Sequence, residues 1–170
     1  MLEKKIAELI NDQINKELYS AYLYLDFAVY YEETGLDGFA NWYTVQAQEE
    51  RDHALLMLKY LQNNGEHVTL KTIDKPDKVL ADKLEVLKMG LEHEQYVTGL
   101  IHNIYDAAYT ARDFRTMQFL DWFVKEQGEE EKNAEDMIRK MTLFGDDAKG
   151  LYMLNSEMAA RVYSAPSLVL

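Results

Sequence analysis

Two short spacings in this chain carry chemistry. Glu50 and His53 stand three residues apart, and so do Gln127 and Glu130. On a helix, residues i and i+3 share a face, so each pair would aim two polar groups at one point. Glu17 and Glu94 stand singly in stretches where apolar residues recur every three or four positions. A carboxylate buried on such a stripe costs several kcal/mol even after relaxation, unless an opposite charge or hydrogen bonds compensate it. No Lys or Arg shares these stripes. A bound cation would fill that role, and a carboxylate-rich set with one imidazole suits iron better than structural zinc.

Taken singly, each residue has a plainer reading. A lone glutamate on an apolar stripe is usually a hydrogen-bonded core residue, and His53 alone would be an ordinary core histidine. The metal reading rests on four interruptions at matching depth. The stripes run Ile6, Ile10, Gln13, Glu17, Ala21, Tyr24, Ala28; then Phe39, Trp42, Gln46, Glu50, His53, Met57, Tyr60; then Leu87, Leu91, Glu94, Thr98, Ile101, Tyr105; then Phe119, Phe123, Gln127, Glu130, Ala134, Met137, Met141. Each interruption lies near the middle of its segment. At about 1.5 Å rise per residue, such positions on paired helices fall at similar heights. Tyr24 lies two turns beyond Glu17 on the same face. The remaining histidines do not join the set: His67 falls in a connection, and His93 and His102 fall off the stripe.

The elements that must position these groups follow from the same periodicity. It predicts helices over about Glu3–Glu33, Asp37–Asn64, Asp82–Thr110 and Asp113–Phe144, with a shorter one over about 147–163 that aligns Leu151, Leu154, Met158 and Val162. Gly65 is placed to end the second helix. Two connections are short, so each flanking pair should be an antiparallel hairpin. The segment from Glu66 to about Ala81, with Pro76, is long enough to travel the length of a bundle. Two hairpins joined by one crossover give an all-α, ferritin-like four-helix bundle, expected as a single domain over residues 1–170 with a short fifth helix. The tail from Ser164 is expected to be irregular.

Composition narrows the function. The net charge of −12 makes nucleic acid a poor partner, whereas cations would be attracted. The absence of cysteine excludes disulfides, thiolate metal sites and cysteine nucleophiles. No apolar run is long enough to span a bilayer, and the first residues show no signal-peptide core, so a cytoplasmic location without membrane partners is expected.

At these ligand positions the chain resembles the bacterial non-haem ferritins, over essentially its whole length. The resemblance implies a first iron held by Glu17, Glu50 and His53, with Glu50 bridging to a second iron held by Glu94 and Glu130 beside Gln127. It implies a third iron position, on the cavity side, from Glu49, Glu126, Glu129 and Glu130. It places Tyr24 next to the centre and matches Trp122 to a nearby aromatic that donates electrons, the plainer reading of Trp122 being a core indole. The implied activity is ferroxidase: Fe(II) is oxidised by dioxygen and stored as Fe(III) mineral inside a homo-oligomeric cage of about 24 subunits. Departures from relatives are informative. Haem-binding bacterioferritins carry a methionine where this chain has Arg51, so no haem is expected. They also complete a second Glu-x-x-His where this chain has Gln127 and Glu130. Gly128, between these positions, is locally unfavourable in a helix by about 1 kcal/mol relative to Ala.

Three rivals differ in class: a storage chain without oxidation, which the complete ligand set disfavours; an oxygen carrier of the haemerythrin kind, which needs more core histidines; and a purely structural bundle.

Overall fold

A computed structural model describes residues 2–170. It contains five helices: α1 Lys4–Glu33, α2 Asp37–Asn63, α3 Lys83–Thr110, α4 Phe114–Phe144 and α5 Ala148–Met158. α1 packs along α2 and α3 along α4, and the two hairpins meet where α1 faces α3. α5 lies across α2 and α4. By contrast, no Cα of α2 comes within 8 Å of one in α4. That seam is wide, and it is bridged by side chains.

The caps explain where the helices begin. Asp82 accepts from the backbone N–H groups of Leu84 and Glu85, Asp113 from Thr116, and Asp147 from Gly150. Each satisfies donors that a helix start leaves orphaned, worth about 1 kcal/mol apiece. The predicted starts at Asp82 and Asp113 therefore move by one residue, because these aspartates cap the helix from outside. Gly65 ends α2 with φ 77°, and the Glu66 N–H closes onto the Leu61 carbonyl, the turn for which glycine is preferred. Arg112 takes the equivalent position after α3 with φ 54°.

The crossover 64–82 has no regular structure but is tied to α1. Asn11 and Thr69 exchange hydrogen bonds of 3.0 and 2.8 Å, and Asn15 donates to the Thr72 carbonyl at 3.0 Å. Tyr31, near the far end of α1, donates to the Lys83 carbonyl at 2.7 Å. The crossover thus runs the length of α1, as its length implied.

The apolar core divides in two. One cluster holds Ile6, Ile10, Ile14, Met57, Leu61, Ile101, Leu120 and Phe123. The other holds Leu23, Phe27, Tyr31, Phe39, Tyr43, Leu87, Met137 and Met141. Burying each large side chain contributes about 1.5–3 kcal/mol. This apolar burial on both sides offsets the polar layer between.

The short helix corrects one expectation. α5 ends at Met158, and Val162 is 81% exposed instead of continuing the buried side with Leu154 and Met158. The Ala159 and Ala160 N–H groups close the last turn onto Asn155 and Glu157, after which the chain leaves the helix. α5 is seated by Asn155, whose Oδ1 accepts from the Gly38 and Phe39 N–H groups at 2.9 and 3.2 Å. Gly38 allows that approach, since a Cβ there would lie 1.8 Å from the Asn155 carbonyl oxygen. No helix among the described residues is long and apolar enough to cross a membrane.

Candidate metal centre

Five helix-borne side chains meet in the layer between the two apolar clusters, with a sixth beside them. Glu17 comes from α1, Glu50 and His53 from α2, Glu94 from α3, and Glu130 with Gln127 from α4. None is more than 7% exposed. The stripes deliver them because each sits mid-helix, and four antiparallel rods place their midpoints at one level.

Among the described residues, three sets of potential ligands bring one atom from each member within 4.8 Å of the others: Glu17, Glu50 and His53; Glu50, Glu94 and Glu130; and His53, Glu126 and Glu130. Glu50 belongs to the first two, the geometry of a carboxylate shared between two adjacent positions. Among the described residues, four buried polar side-chain atoms lack any hydrogen-bond partner: one oxygen each of Glu17, Glu50 and Glu130, and Nδ1 of His53. Native interiors leave few such atoms unpaired, and each costs about 1–3 kcal/mol. All four belong to this one cluster.

The other carboxylate oxygens are held by amides. Gln13 donates to Glu17 at 2.9 Å, and Gln46 donates to Glu50 at 2.8 Å. Gln127 donates to Glu94 at 3.2 Å, and the Tyr24 hydroxyl also donates to Glu94. These donors fix the carboxylates while leaving one edge of the cluster open to a cation.

Burial is the largest influence on the charges. It pushes Glu17 up to about 8, with the Glu50 charge adding to it. It pushes Glu94 up to about 7 and Glu130 well above the usual carboxylate range, again with Glu50 nearby. At His53 burial opposes the charged form, but the Glu50 carboxylate outweighs it, and the imidazole titrates near 9. Glu50 in turn is lowered: burial acts against its charge, and His53 overcomes it. Their separation of 3.6 Å is that of an ion pair rather than a hydrogen bond. Without metal, the cluster is therefore one buried ion pair among carboxyls that burial holds on to their protons to higher pH than usual. Burial pushes the Tyr24 phenol far up as well, so it stays a donor.

The expected outer acids are arranged differently. A cleft of about 360 Å³ opens beside the centre, lined by Glu49, His53, Glu126, Glu129, Glu130 and residues of the C-terminal tail. Of the four acids expected at a third position, Glu130 already belongs to the inner cluster, and of the other three Glu126 alone comes within ligand distance of Glu130 and His53. Glu129 is exposed on the rim. Glu49 is paired at 2.5 Å with Arg161. Burial raises the Glu126 and Glu49 pKa values, the latter despite Arg161.

The family model for the ferritin-like domain matches residues 7–144. The chain is 39% identical to the bacterial non-heme ferritin of Staphylococcus haemolyticus over 163 residues, 96% of this chain and 98% of that one. The chain belongs to the ferritin family. Against the bacterial non-heme ferritin of Staphylococcus aureus strain USA300, this ferritin is 36% identical over 96% of its length and 98% of the relative's. Among solved structures it matches an open-pore ferritin from the hyperthermophilic archaeon Archaeoglobus fulgidus with TM-score 0.92 and 40% identity, covering 95% of this chain and all of that one. A humanized archaeal ferritin gives TM-score 0.94 and 41% identity over 96% of this chain and 99% of that one. Iron storage is the work of this family, and the buried Glu/His cluster is the part of the chain suited to it.

Other readings are sharpened by position. Arg51 is exposed beside Asp52, pointing away from the centre. Gly128 is also exposed, and a Cβ there would meet nothing within 4 Å, so packing does not require the glycine. His93 stays outside the ligand sets and pairs with the Ser20 hydroxyl at 2.8 Å. Trp122 is half-buried, its ring 5.4 Å from that of His53.

Three residues close to the site had no assigned part in the sequence reading. Gln13 and Gln46 stood in the stripes, and their i, i+4 spacing to Glu17 and Glu50 was the available signal. Arg161 had no such signal, because only the folded tail brings it to Glu49.

Proposed function

We propose that this ferritin is a ferroxidase: it oxidises Fe(II) with dioxygen at the mid-bundle cluster and stores the Fe(III) product as a mineral. The observation that carries the reading is the group of four buried ligand atoms without a hydrogen-bond partner on Glu17, Glu50, His53 and Glu130, two of which, on Glu50 and His53, have only each other at ion-pair distance. They are adjacent, buried and of the types that bind iron.

In this reading Fe(II) is the substrate. Glu17, Glu50 and His53 hold one ion, and Glu50, Glu94 and Glu130 hold a second. Gln127 keeps Glu94 oriented and offers its carbonyl oxygen to the same position. Binding discharges the protons that burial retains on Glu17, Glu94 and Glu130 and drives His53 neutral. Four carboxylates then surround the metal pair, a hard oxygen set that favours the ferric state. Tyr24 remains protonated against Glu94 and limits how far that carboxylate can swing. Glu126, with Glu49 and Glu129 in the adjoining cleft, supplies a third position between the centre and the α2–α4 surface. No haem is involved in this reading.

A mineral needs an enclosed volume, which one bundle lacks. We infer a closed homo-oligomer, with about 24 subunits as the expected cage. Its support is an unpartnered apolar stripe on α1, where Tyr22, Leu25 and Val29 are each 45–54% exposed at helical spacing. Contiguous exposed apolar surface of this kind marks interaction sites.

The deciding experiment is oxygen consumption on addition of Fe(II), with Glu50→Ala and His53→Ala as comparisons and native mass measured on the same samples. The expected result is fast oxidation by the native assembly and a loss of at least about tenfold in each variant. Undiminished fast oxidation in both variants would overturn the site assignment, and a monomeric native mass would overturn the cage.

A further inference from the structure

The C-terminal tail packs on the wide seam between α2 and α4. After α5 ends, Asn41 on α2 donates to the carbonyls of Ala159 and Arg161 at 3.4 and 3.1 Å. The Arg161 guanidinium then lies 3.9 Å over the Trp42 ring, donates to the Trp42 carbonyl and pairs with Glu49. Tyr163 donates to Asp52 at 2.5 Å, and Trp122 on α4 donates to the Ser167 hydroxyl at 3.0 Å. Leu168 rests against the apolar cluster.

These contacts make the tail one wall of the cleft. Arg161 and Ser164 to Ser167 face the same space as Glu49, His53, Glu126, Glu129 and Glu130. The cleft therefore holds one guanidinium where a cation would otherwise find Glu49 beside Glu126. Stacking on an indole and a bidentate-capable fork make arginine well suited to that place.

The attachment is nonetheless light. The tail has no regular structure, and Tyr163, Ser164, Ala165 and Ser167 are exposed. Its polar anchors past Arg161 are single side-chain hydrogen bonds at exposed positions, each worth about 1 kcal/mol net. A multivalent metal ion brings more charge to Glu49 than Arg161 does, and can engage Glu126 as well.

We propose that residues 161–168 form a displaceable cover on the third metal position, with Arg161 as the resident counter-ion that an arriving cation must remove from Glu49. This rests on the third position suggested above and adds its regulation. The cover makes outer binding weaker than the acids alone would give, so an ion there is held loosely enough to pass on.

The test is cation binding by the assembled protein, read two ways. Tb3+ luminescence sensitised by Trp122 and Trp42, measured after two equivalents of Zn2+ have filled the inner positions, reports the outer position, and calorimetric titration with Zn2+ alone counts all positions. Arg161→Gln removes the charge, Arg161→Lys keeps it, and a chain ending at Ala160 lacks the cover. Outer affinity is expected to rise by about tenfold in Arg161→Gln and in the shortened chain, as loss of one nearby positive charge implies. Arg161→Lys should stay near the native value. Equal or weaker outer binding in both Arg161→Gln and the shortened chain overturns the proposal, as does absence of an outer position from every form. Zn2+ at the inner positions is read separately: its failure in the native chain would count against the di-iron centre, whereas the outer signal alone judges the cover.

Discussion

The Gln46 amide nitrogen lies 3.0 Å from a carboxylate oxygen of Glu130, joining α2 to α4 across a seam where no Cα atoms of the two helices come within 8 Å. The same nitrogen donates to Glu50 at 2.8 Å. One amide therefore holds an acid of each facing helix.

Replacing it with Gln46→Leu would leave two more buried oxygens unpaired. At about 1–3 kcal/mol for each unsatisfied group, the metal-free protein should lose about 2–6 kcal/mol. Metal can take over part of the lost pairing, so the deficit should shrink when Zn2+ is bound. Thermal melts of native and variant protein, with and without Zn2+, check this. A deficit of equal size in both conditions would contradict the shared-amide role.

Proton release should accompany metal binding. Glu17 titrates near 8, Glu94 near 7 and His53 near 9, and Glu130 is raised well above the ordinary range. All four are raised above their unfolded values. Between the unfolded and folded pKa values the native state binds more protons than the unfolded chain, so metal-free stability contributed by this cluster falls as pH rises from about 5 to 9. Metal ligation needs the deprotonated forms, so affinity should rise over that range. At pH 7, loading should release roughly three protons per subunit. Calorimetry in buffers of different ionisation enthalpy counts them, and a count near zero would refute the charge assignment.

Tyr24→Phe should separate the two inner positions. The phenol donates to Glu94 and helps lower that carboxylate's otherwise raised pKa. Without it Glu94 protonates more readily and turns more freely. Zn2+ binding at the Glu94–Glu130 position should weaken by about tenfold, one pKa unit being about 1.4 kcal/mol, while binding at Glu17–Glu50–His53 changes little. Stepwise calorimetric titration at pH 7 distinguishes these. Equal weakening of both steps would argue for a general packing defect.

Gly38→Ala tests how α5 is seated. The added methyl would fall on the Asn155 carbonyl, so α5 must shift or release its hold on the start of α2. A loss of about 1–3 kcal/mol is expected from overpacking. Hydrogen exchange should quicken in residues 148–168 while α1 and α3 remain protected. Unchanged exchange in that segment would show that α5 has another anchor.

Much of this could be read from residue order because the deciding features are periodic. Glu17, Glu50, Glu94 and Glu130 replace apolar residues at fixed helical spacing, and regular helices carry that spacing directly into space. The inward face of α3 is rotated from the one its periodicity suggests. Leu91, Thr98 and Tyr105 are only half-buried, whereas Gly90, Val97 and Ile104 are buried. A run with apolar residues on neighbouring faces does not fix the inward direction to better than about one residue's rotation. Arg161 lay beyond reach for a different reason. Its partner Glu49 is 112 residues away, and the approach is set by an irregular tail with no period to extrapolate. Glu49 and Glu129 looked equivalent as acids flanking the stripe, but the tail claims the first and the solvent the second.

The pairs Glu50…His53 on α2 and Gln127…Glu130 on α4 have equal spacing but unlike chemistry. Two ions at this centre would therefore experience different ligand fields, one with an imidazole nitrogen and one surrounded by oxygen donors. In a Mössbauer spectrum of the freshly loaded ferrous protein, that asymmetry would read as two resolved quadrupole doublets of equal area. Site-selective substitution could then address one iron while leaving its neighbour's signature intact.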